Sequence, residues 1–147
     1  MKKKIFLLEL IDYDYYDEID KENVEERYII GYFLNLKCLE QAILLCQKRK
    51  NTNETIKTTE FNIECGHNQK FVYVLFYEYC ILRENEYADF YEYFDPQSSY
   101  EKCIAQKNNL LKMKKYKETC NRIFEDSKDG FRIEKIKIDF ISHINYK

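Results

Sequence analysis

The sequence predicts an α+β protein made of two ββαβ repeats, each a three-stranded, antiparallel-rich sheet with one helix packed on a face. Short apolar runs bounded by charged residues occur twice, at residues 5–11 and 71–82. Each run is followed by a strand-like segment and then by apolar residues at helical spacing. A third observation is internal similarity: Tyr32, Phe33, Glu40 and Ile43 recur as Tyr93, Phe94, Glu101 and Ile104, always 61 residues later.

The same similarity predicts where the repeats begin and end. Phe61, Ile63 and Glu64 recur as Phe131, Ile133 and Glu134. We therefore expect a first unit at residues 1–66 and a second at 67–147, packed together as one compact domain. One domain with a long insertion is the alternative to a duplication.

In the first unit, the apolar run 5–11 is typical of a central strand that is buried on both faces. Residues 27–33 follow as the second strand. Asn35 is a favourable N-cap for a helix, and Lys48, Arg49 and Lys50 suit the carboxyl end of its dipole, so we expect the helix to end near Lys50.

In the second unit, residues 71–82 and 87–94 are the expected first two strands. The second helix starts either with Asp95 as its cap and Pro96 in its first turn, or with Ser98 and Glu101 as a capping box. Neither Gly nor Pro occurs in residues 97–128, so this helix is either long or broken once. Residues 131–140 form the closing strand, and residues 66–69 make a tight link that permits only a hairpin or a corner.

Composition limits the class of protein. The chain has 147 residues, of which 45% are hydrophobic and 34% charged, with a formal net charge of −2. These values predict a packed core, and 3 Gly with 1 Pro exclude collagen-like and proline-rich chains. No run of about 18 apolar residues is present. We expect a cytoplasmic chain without membrane association, in which the six cysteines are free and buried.

A few short segments carry a family resemblance. They are Phe6-Leu7-Leu8-Glu9, Ile30-Gly31-Tyr32, Ala42, Asp129-Gly130-Phe131-x-Ile133 and Ile138-Asp139. In these segments the chain resembles a family of small, uncharacterised strand-strand-helix-strand proteins from bacteria and phages, classed as a domain of unknown function. In that family a histidine usually follows the first glutamate and a serine pair precedes the helix, whereas this chain has Leu10 and Leu34-Asn35 there. The resemblance implies a ββαβ fold and does not indicate a function.

Acidic residues and tyrosines are concentrated in the predicted hairpins. Residues 9–26 contain nine acidic residues, one lysine and three tyrosines, for a formal charge of −8. Residues 78–95 contain six acidic residues, one arginine and four tyrosines. These hairpins are either solvated loops or a surface that attracts a basic partner and anchors it with tyrosines. The candidate partner-binding residues are Asp12, Tyr13, Asp14, Tyr15, Tyr16, Asp17, Glu18, Glu84, Glu86 and Tyr87.

We therefore expect a non-catalytic, cytoplasmic protein-binding protein of the inhibitor or immunity type, like those that phage and mobile-element genes encode. Its partner would be a protein with a basic surface. A nucleic-acid-binding enzyme fits that description, because a row of carboxylates can imitate phosphates. The sequence pI of 5.8 disfavours direct nucleic-acid binding, and a homodimer is a further option. The alternative function is a small enzyme or ligand-binding domain with its site in the cleft between the two units.

Three other patterns favour structural explanations. Asp12, Asp14 and Asp17 could ligate Ca²⁺ but lack the turn glycine of an EF-hand loop, and Cys65 with His67 supplies only half of a zinc site. We expect neither a metal nor a cofactor. Lys112, Lys114, Lys115 and Lys117 around Tyr116 could contact phosphates while the tyrosine stacks on a base, but a solvated helix face also explains them.

Overall fold

The structure, a computed structural model, describes the backbone of residues 1–17, 22–83, 86–119, 123–124, 127–128 and 130–142. Side chains are described for residues 1–12, 25–78, 92–117 and 130–142. The strands are β1 (Lys2–Asp17), β2 (Glu22–Phe33), β3 (Glu54–Glu64), β4 (Phe71–Arg83), β5 (Glu86–Tyr93), β6 (Ile123–Phe124), β7 (Ser127–Lys128) and β8 (Gly130–Lys137). The helices are α1 (Leu36–Arg49), α2 (Tyr100–Leu110) and α3 (Lys114–Thr119).

The predicted α+β class is confirmed. The first sheet has the strand order β2-β1-β3 and the second has the order β5-β4-β8, and both are antiparallel. In each sheet the first strand of the unit lies in the centre, as expected from its apolar sequence. β6 and β7 form a short hairpin that the sequence analysis did not predict.

Contacts divide the chain into two compact units. The first comprises Met1–Val72 together with Ile136–Lys147, and the second comprises Tyr73–Lys135. The strands of the first sheet all lie within residues 1–66, yet the last twelve residues group with them. The first unit is therefore discontinuous in sequence. Descent of the two units from one duplicated segment stays a prediction.

The core of the first unit lies between β1, β2 and α1. Consecutive residues of β1 are buried, as expected for a central strand covered on both faces. One cluster joins Leu8, Leu10, Ile30, Phe33, Leu39, Ala42 and Cys46. Each large aliphatic side chain buried there contributes about 1.5–3 kcal/mol relative to exposure, so this cluster is the main source of stability for α1 on its sheet.

The ends of α1 are where the sequence predicts them. The Asn35 side chain accepts hydrogen bonds from the backbone N–H groups of Lys37 and Cys38, at 2.9 and 3.3 Å. These bonds satisfy two of the donors that every helix leaves free at its start. At the other end Lys50 is extended and closes the helix.

The start of α2 differs from both predictions. Its N-cap is Ser99, whose hydroxyl accepts from the Lys102 backbone N–H at 3.3 Å, rather than Asp95 or Ser98. Gln97 explains the shift, because its N–H and C=O exchange 2.8 Å hydrogen bonds with Tyr73 of β4. Because residue 97 is paired with β4, the helix can begin only after that residue. The helical segment is then broken once, between α2 and α3.

The boundaries of three strands also differ from expectation. β1 and β2 continue well beyond the predicted segments 5–11 and 27–33, so residues 12–17 are strand rather than loop. The closing strand β8 ends at Lys137 instead of residue 140, because Asp139 adopts a left-handed backbone conformation with φ of 63°. The link at residues 66–69 does not form a hairpin, since β3 and β4 belong to different sheets.

Residues 138–142, which we call the strap, continue from β8 and belong to the first unit. The Asp139 and Ser142 N–H groups donate to the carbonyls of Tyr32 and Ile30 on β2, at 2.8 and 2.7 Å. The strap therefore lies along β2.

The core of the second unit is aromatic. Tyr77 of β4 packs edge-on against Tyr116 of α3 at 4.9 Å between ring centroids, and against Phe131 of β8 at 4.8 Å. Phe94 contacts both Tyr116 and Phe131. These tilted and T-shaped contacts are the arrangements that ring quadrupoles favour.

Candidate protein-binding surface

The first hairpin extends beyond the sheet to which it belongs. β3 pairs with β1 only from Lys2 to Asp12, whereas the pairing of β1 with β2 continues to Asp17 opposite Glu22. Within the described backbone, residues 13–17 and 22–25 therefore form a two-stranded hairpin that β3 does not accompany. We call this two-stranded extension the acidic arm, residues 12–17 and 22–26.

Like charges lie opposite one another at both ends of the acidic arm. Asp12 is paired with Glu26 of β2 on one side and with Glu54 of β3 on the other, and Asp17 is paired with Glu22. Directly opposed residues have Cβ atoms about 4.5–5.5 Å apart, and like charges at that distance destabilise a sheet. The register therefore brings acidic residues together at both ends of the arm.

A bulge adds to the concentration of acidic residues. The register of the arm shifts between Asp12, which faces Glu26, and Tyr15, which faces Val24. β1 therefore contributes one more residue than β2 over this stretch, which leaves Tyr13 and Asp14 beside Glu25. Extra residues of this kind increase local twist and redirect side chains.

Only one of the ten candidate residues has a described side chain. Asp12 is half-buried at the base of the arm. Tyr13, Asp14, Tyr15, Tyr16 and Asp17 follow it along β1, with described backbone only. Glu86 and Tyr87 begin β5, opposite Arg83 and Leu82. Glu18 and Glu84 lie outside the described residues.

The structure thus assembles Asp12–Asp17 on one strand and assigns Glu86 and Tyr87 to the other compact unit. It also adds acidic neighbours that sequence reasoning did not select. Glu54 is the clearest case, because it comes next to Asp12 only through the strand order β2-β1-β3. No local signal could have identified it. Glu26 has one carboxylate oxygen, Oε2, that is buried without a hydrogen bond.

Glu9, which belongs to the acidic segment in sequence, is not part of this surface. Its side chain is 3% exposed in the first sheet, and its Oε2 lies 3.8 Å from Nη1 of Arg27. The Arg27 guanidinium also contacts the carboxylate of Glu25. Burying a carboxylate is costly unless a charge or hydrogen bonds compensate, so Arg27 has a structural role at the base of the arm.

The cysteines that are described are free thiols. Cys46, Cys65 and Cys103 are buried, and Cys38 is half-buried. Burial raises the pKa of both Cys46 and Cys103 to about 11, with Glu54 adding to the effect at Cys46. These two thiols therefore remain protonated and poorly nucleophilic at neutral pH.

The other patterns assemble no site. Cys65 is buried while His67 is exposed, and within the described residues no three His, Cys, Asp or Glu side chains converge as metal ligands. The four lysines near α3 are exposed, but Tyr116 is buried and donates a 2.9 Å hydrogen bond to Glu92. Its ring is packed in the aromatic core, so the predicted stacking of Tyr116 on a base is not available.

None of the helices in the described ranges combines the length and apolar character needed to cross a membrane. Comparison of the chain with protein-family models, with curated proteins and with solved structures found no match.

Proposed function

We propose that this chain is a non-catalytic, cytoplasmic protein-binding protein of the inhibitor or immunity type, and that the acidic arm engages a basic surface of its partner. The observation that carries the proposal is the strand register, which brings Asp12 next to both Glu26 and Glu54 and pairs Asp17 with Glu22, so that acidic residues are concentrated along the arm. A basic surface on a partner would be attracted to such a concentration of acidic residues, because complementary charges steer association and fix its register.

The extended shape of the arm also supports this function. The two strands of the arm pair with each other and not with β3, so a partner can approach the arm along its length. Its tyrosines supply the large amphipathic side chains that dominate binding energy in protein interfaces, and its carboxylates supply attraction over a distance of about 8–10 Å in physiological salt.

The experiment compares two variants that lose the same formal charge. In one, Asp12, Asp14 and Asp17 are replaced by Asn, which keeps side-chain shape. In the matched control, Glu40 and Glu101 are replaced by Gln and Asp95 by Asn, three exposed positions outside the arm. Each protein is immobilised and used to capture partners from extracts of the native host, followed by mass spectrometry and by affinity measurement with the purified partner.

We expect the wild-type chain and the control to retain the same basic protein, and the arm variant to lose it. The association rate should fall steeply as salt rises from low to physiological concentration, because electrostatic steering is screened. Equal retention by the arm variant and the control would reject the arm as the binding surface. If the partner is a nucleic-acid-binding enzyme, added DNA should compete with the chain for it.

A further inference from the structure

The two edges of the first sheet are protected in different ways. β3 forms one edge, and its exposed positions include the charged residues Lys57, Glu60 and Glu64. Charges on an edge strand discourage pairing with strands of other molecules. β2 forms the other edge, and its residues 28–33, Tyr-Ile-Ile-Gly-Tyr-Phe, include no charge. Such a segment, rich in β-branched and aromatic residues, is of the kind that pairs with copies of itself when exposed.

The strap lies along this uncharged part of β2. Besides the two backbone hydrogen bonds to Tyr32 and Ile30, the Ser142 hydroxyl donates to the Ile30 carbonyl at 2.9 Å. The carbonyls of Ile30 and Tyr32 both accept from the strap, so the strap occupies groups that another strand would need. Ile141 packs against the α1 core cluster and adds apolar contact.

Asp139 fixes the strap in place. Its carboxylate Oδ1 accepts hydrogen bonds from the backbone N–H groups of Leu34 and Asn35, at 2.8 and 2.9 Å. These donors lie immediately before α1, where backbone N–H groups are not satisfied within the helix. The left-handed backbone of Asp139 ends β8 and turns the chain so that its carboxylate can reach them.

We infer that the strap is a guard for the β2 edge, and that its release exposes residues 28–33 to pairing with the same segment of a second copy of this chain. The second copy is the occupant because the exposed segment is uncharged and self-complementary in character, whereas the acidic arm would attract a basic partner. The charged β3 edge requires no such cover. The guard is independent of the proposed function of the arm.

The test uses the full chain with Asp139→Ala, which removes the acceptor, and with Asp139→Asn, which keeps a side-chain oxygen in the same place. Hydrogen exchange of the backbone N–H groups of residues 139 and 142, which donate to β2, reports release of the strap, and sedimentation velocity over a range of concentrations reports self-association. We expect Asp139→Ala to speed exchange about tenfold or more, as loss of hydrogen bonds to a charged group would, and to form dimers or larger species. Asp139→Asn should remain close to wild type in both measurements.

A third variant shows whether β2 is the surface that associates. Adding Ile29→Lys to Asp139→Ala places a charge in the uncharged run and should restore the monomer while exchange stays fast. Association that persists in the double variant would overturn the inference, as would an Asp139→Ala protein that exchanges fast yet stays monomeric, or one whose exchange is unchanged. If Asp139→Ala loses its far-UV CD signal, Ser142→Ala, which removes only the hydroxyl bond to Ile30, is judged by the same criteria.

Discussion

Gly31 of β2 lies directly against the backbone of Phe140 in the strap. A Cβ atom at residue 31 would be 2.5 Å from the Phe140 carbonyl oxygen and 3.0 Å from two ring atoms of Phe33. The backbone dihedral φ of Gly31 is not positive, so the requirement for glycine is one of space rather than conformation. This close approach is what lets the strap follow β2.

Gly31→Ala should therefore destabilise the chain. The carbonyl of Phe140 is backbone and cannot rotate away as a side chain would, so we expect a loss of about 1–3 kcal/mol in the free energy of unfolding, as for other overpacked sites. Gly66→Ala is the matched control, because its Cβ would meet only the Gln69 side chain, at 3.8 Å. That variant should stay within about 0.5 kcal/mol of wild type. Urea denaturation measures both, and equal stabilities would contradict the assigned contact.

The pairing of Glu9 with Arg27 leads to a second prediction. Arg27→Ala removes this cation from the Glu9 carboxylate, whose side chain is only 3% exposed. We expect the free energy of unfolding to fall by about 1–3 kcal/mol. This loss is smaller than for a fully buried ion pair, because the Arg27 side chain is 41% exposed. Glu9→Gln combined with Arg27→Ala should cost less than the sum of the single changes, since the two groups interact.

The control for this pair is Lys4→Ala. Lys4 lies 3.3 Å from Glu60, but both side chains are largely exposed, at 66% and 46%. Surface pairs contribute less than about 1 kcal/mol. If Arg27→Ala and Lys4→Ala have the same effect in denaturant titrations, Arg27 does not compensate the buried carboxylate.

The buried thiols predict a particular dependence on pH. Because the pKa of Cys46 and of Cys103 is raised from 9.0 to about 11, the folded state holds these protons after the unfolded state has lost them. Their contribution to stability is complete below pH 9 and declines as pH rises toward 11. The stability of Cys46→Ala relative to wild type should accordingly improve across that range.

Thiol alkylation offers an independent measurement. At neutral pH, iodoacetamide should modify Cys46 and Cys103 in the native chain far more slowly than in urea, because the thiolate is the reactive species and the residues are buried. Half-buried Cys38 on the same helix is the internal comparison. Rapid modification of Cys46 in the native state would contradict its burial.

Some features could be predicted because they depend on neighbouring residues. Asn35 has a short polar side chain placed before an apolar helical period, and it caps α1 as expected. The apolar runs around Leu8 and Leu75 predict central strands, and both are central strands. In contrast, the local pattern favours Asp95 or Ser98 as the cap of α2, because nothing in that pattern reveals the hydrogen bonds between Gln97 and Tyr73 of β4.

The candidate site likewise has some features that the sequence predicts and others that depend on the tertiary structure. The acidic and tyrosine-rich composition of residues 9–26 can be read from the chain, and so can the α+β class, because hydrophobic period and capping are local properties. Three other features depend on strand order and register. Glu9 is buried although it belongs to the acidic segment, Glu54 lies next to Asp12, and Asp139 binds the start of α1 from 104 residues away. Strand order and register are set by the packing of distant segments, and only the folded chain shows which charges are brought together and which are taken out of water.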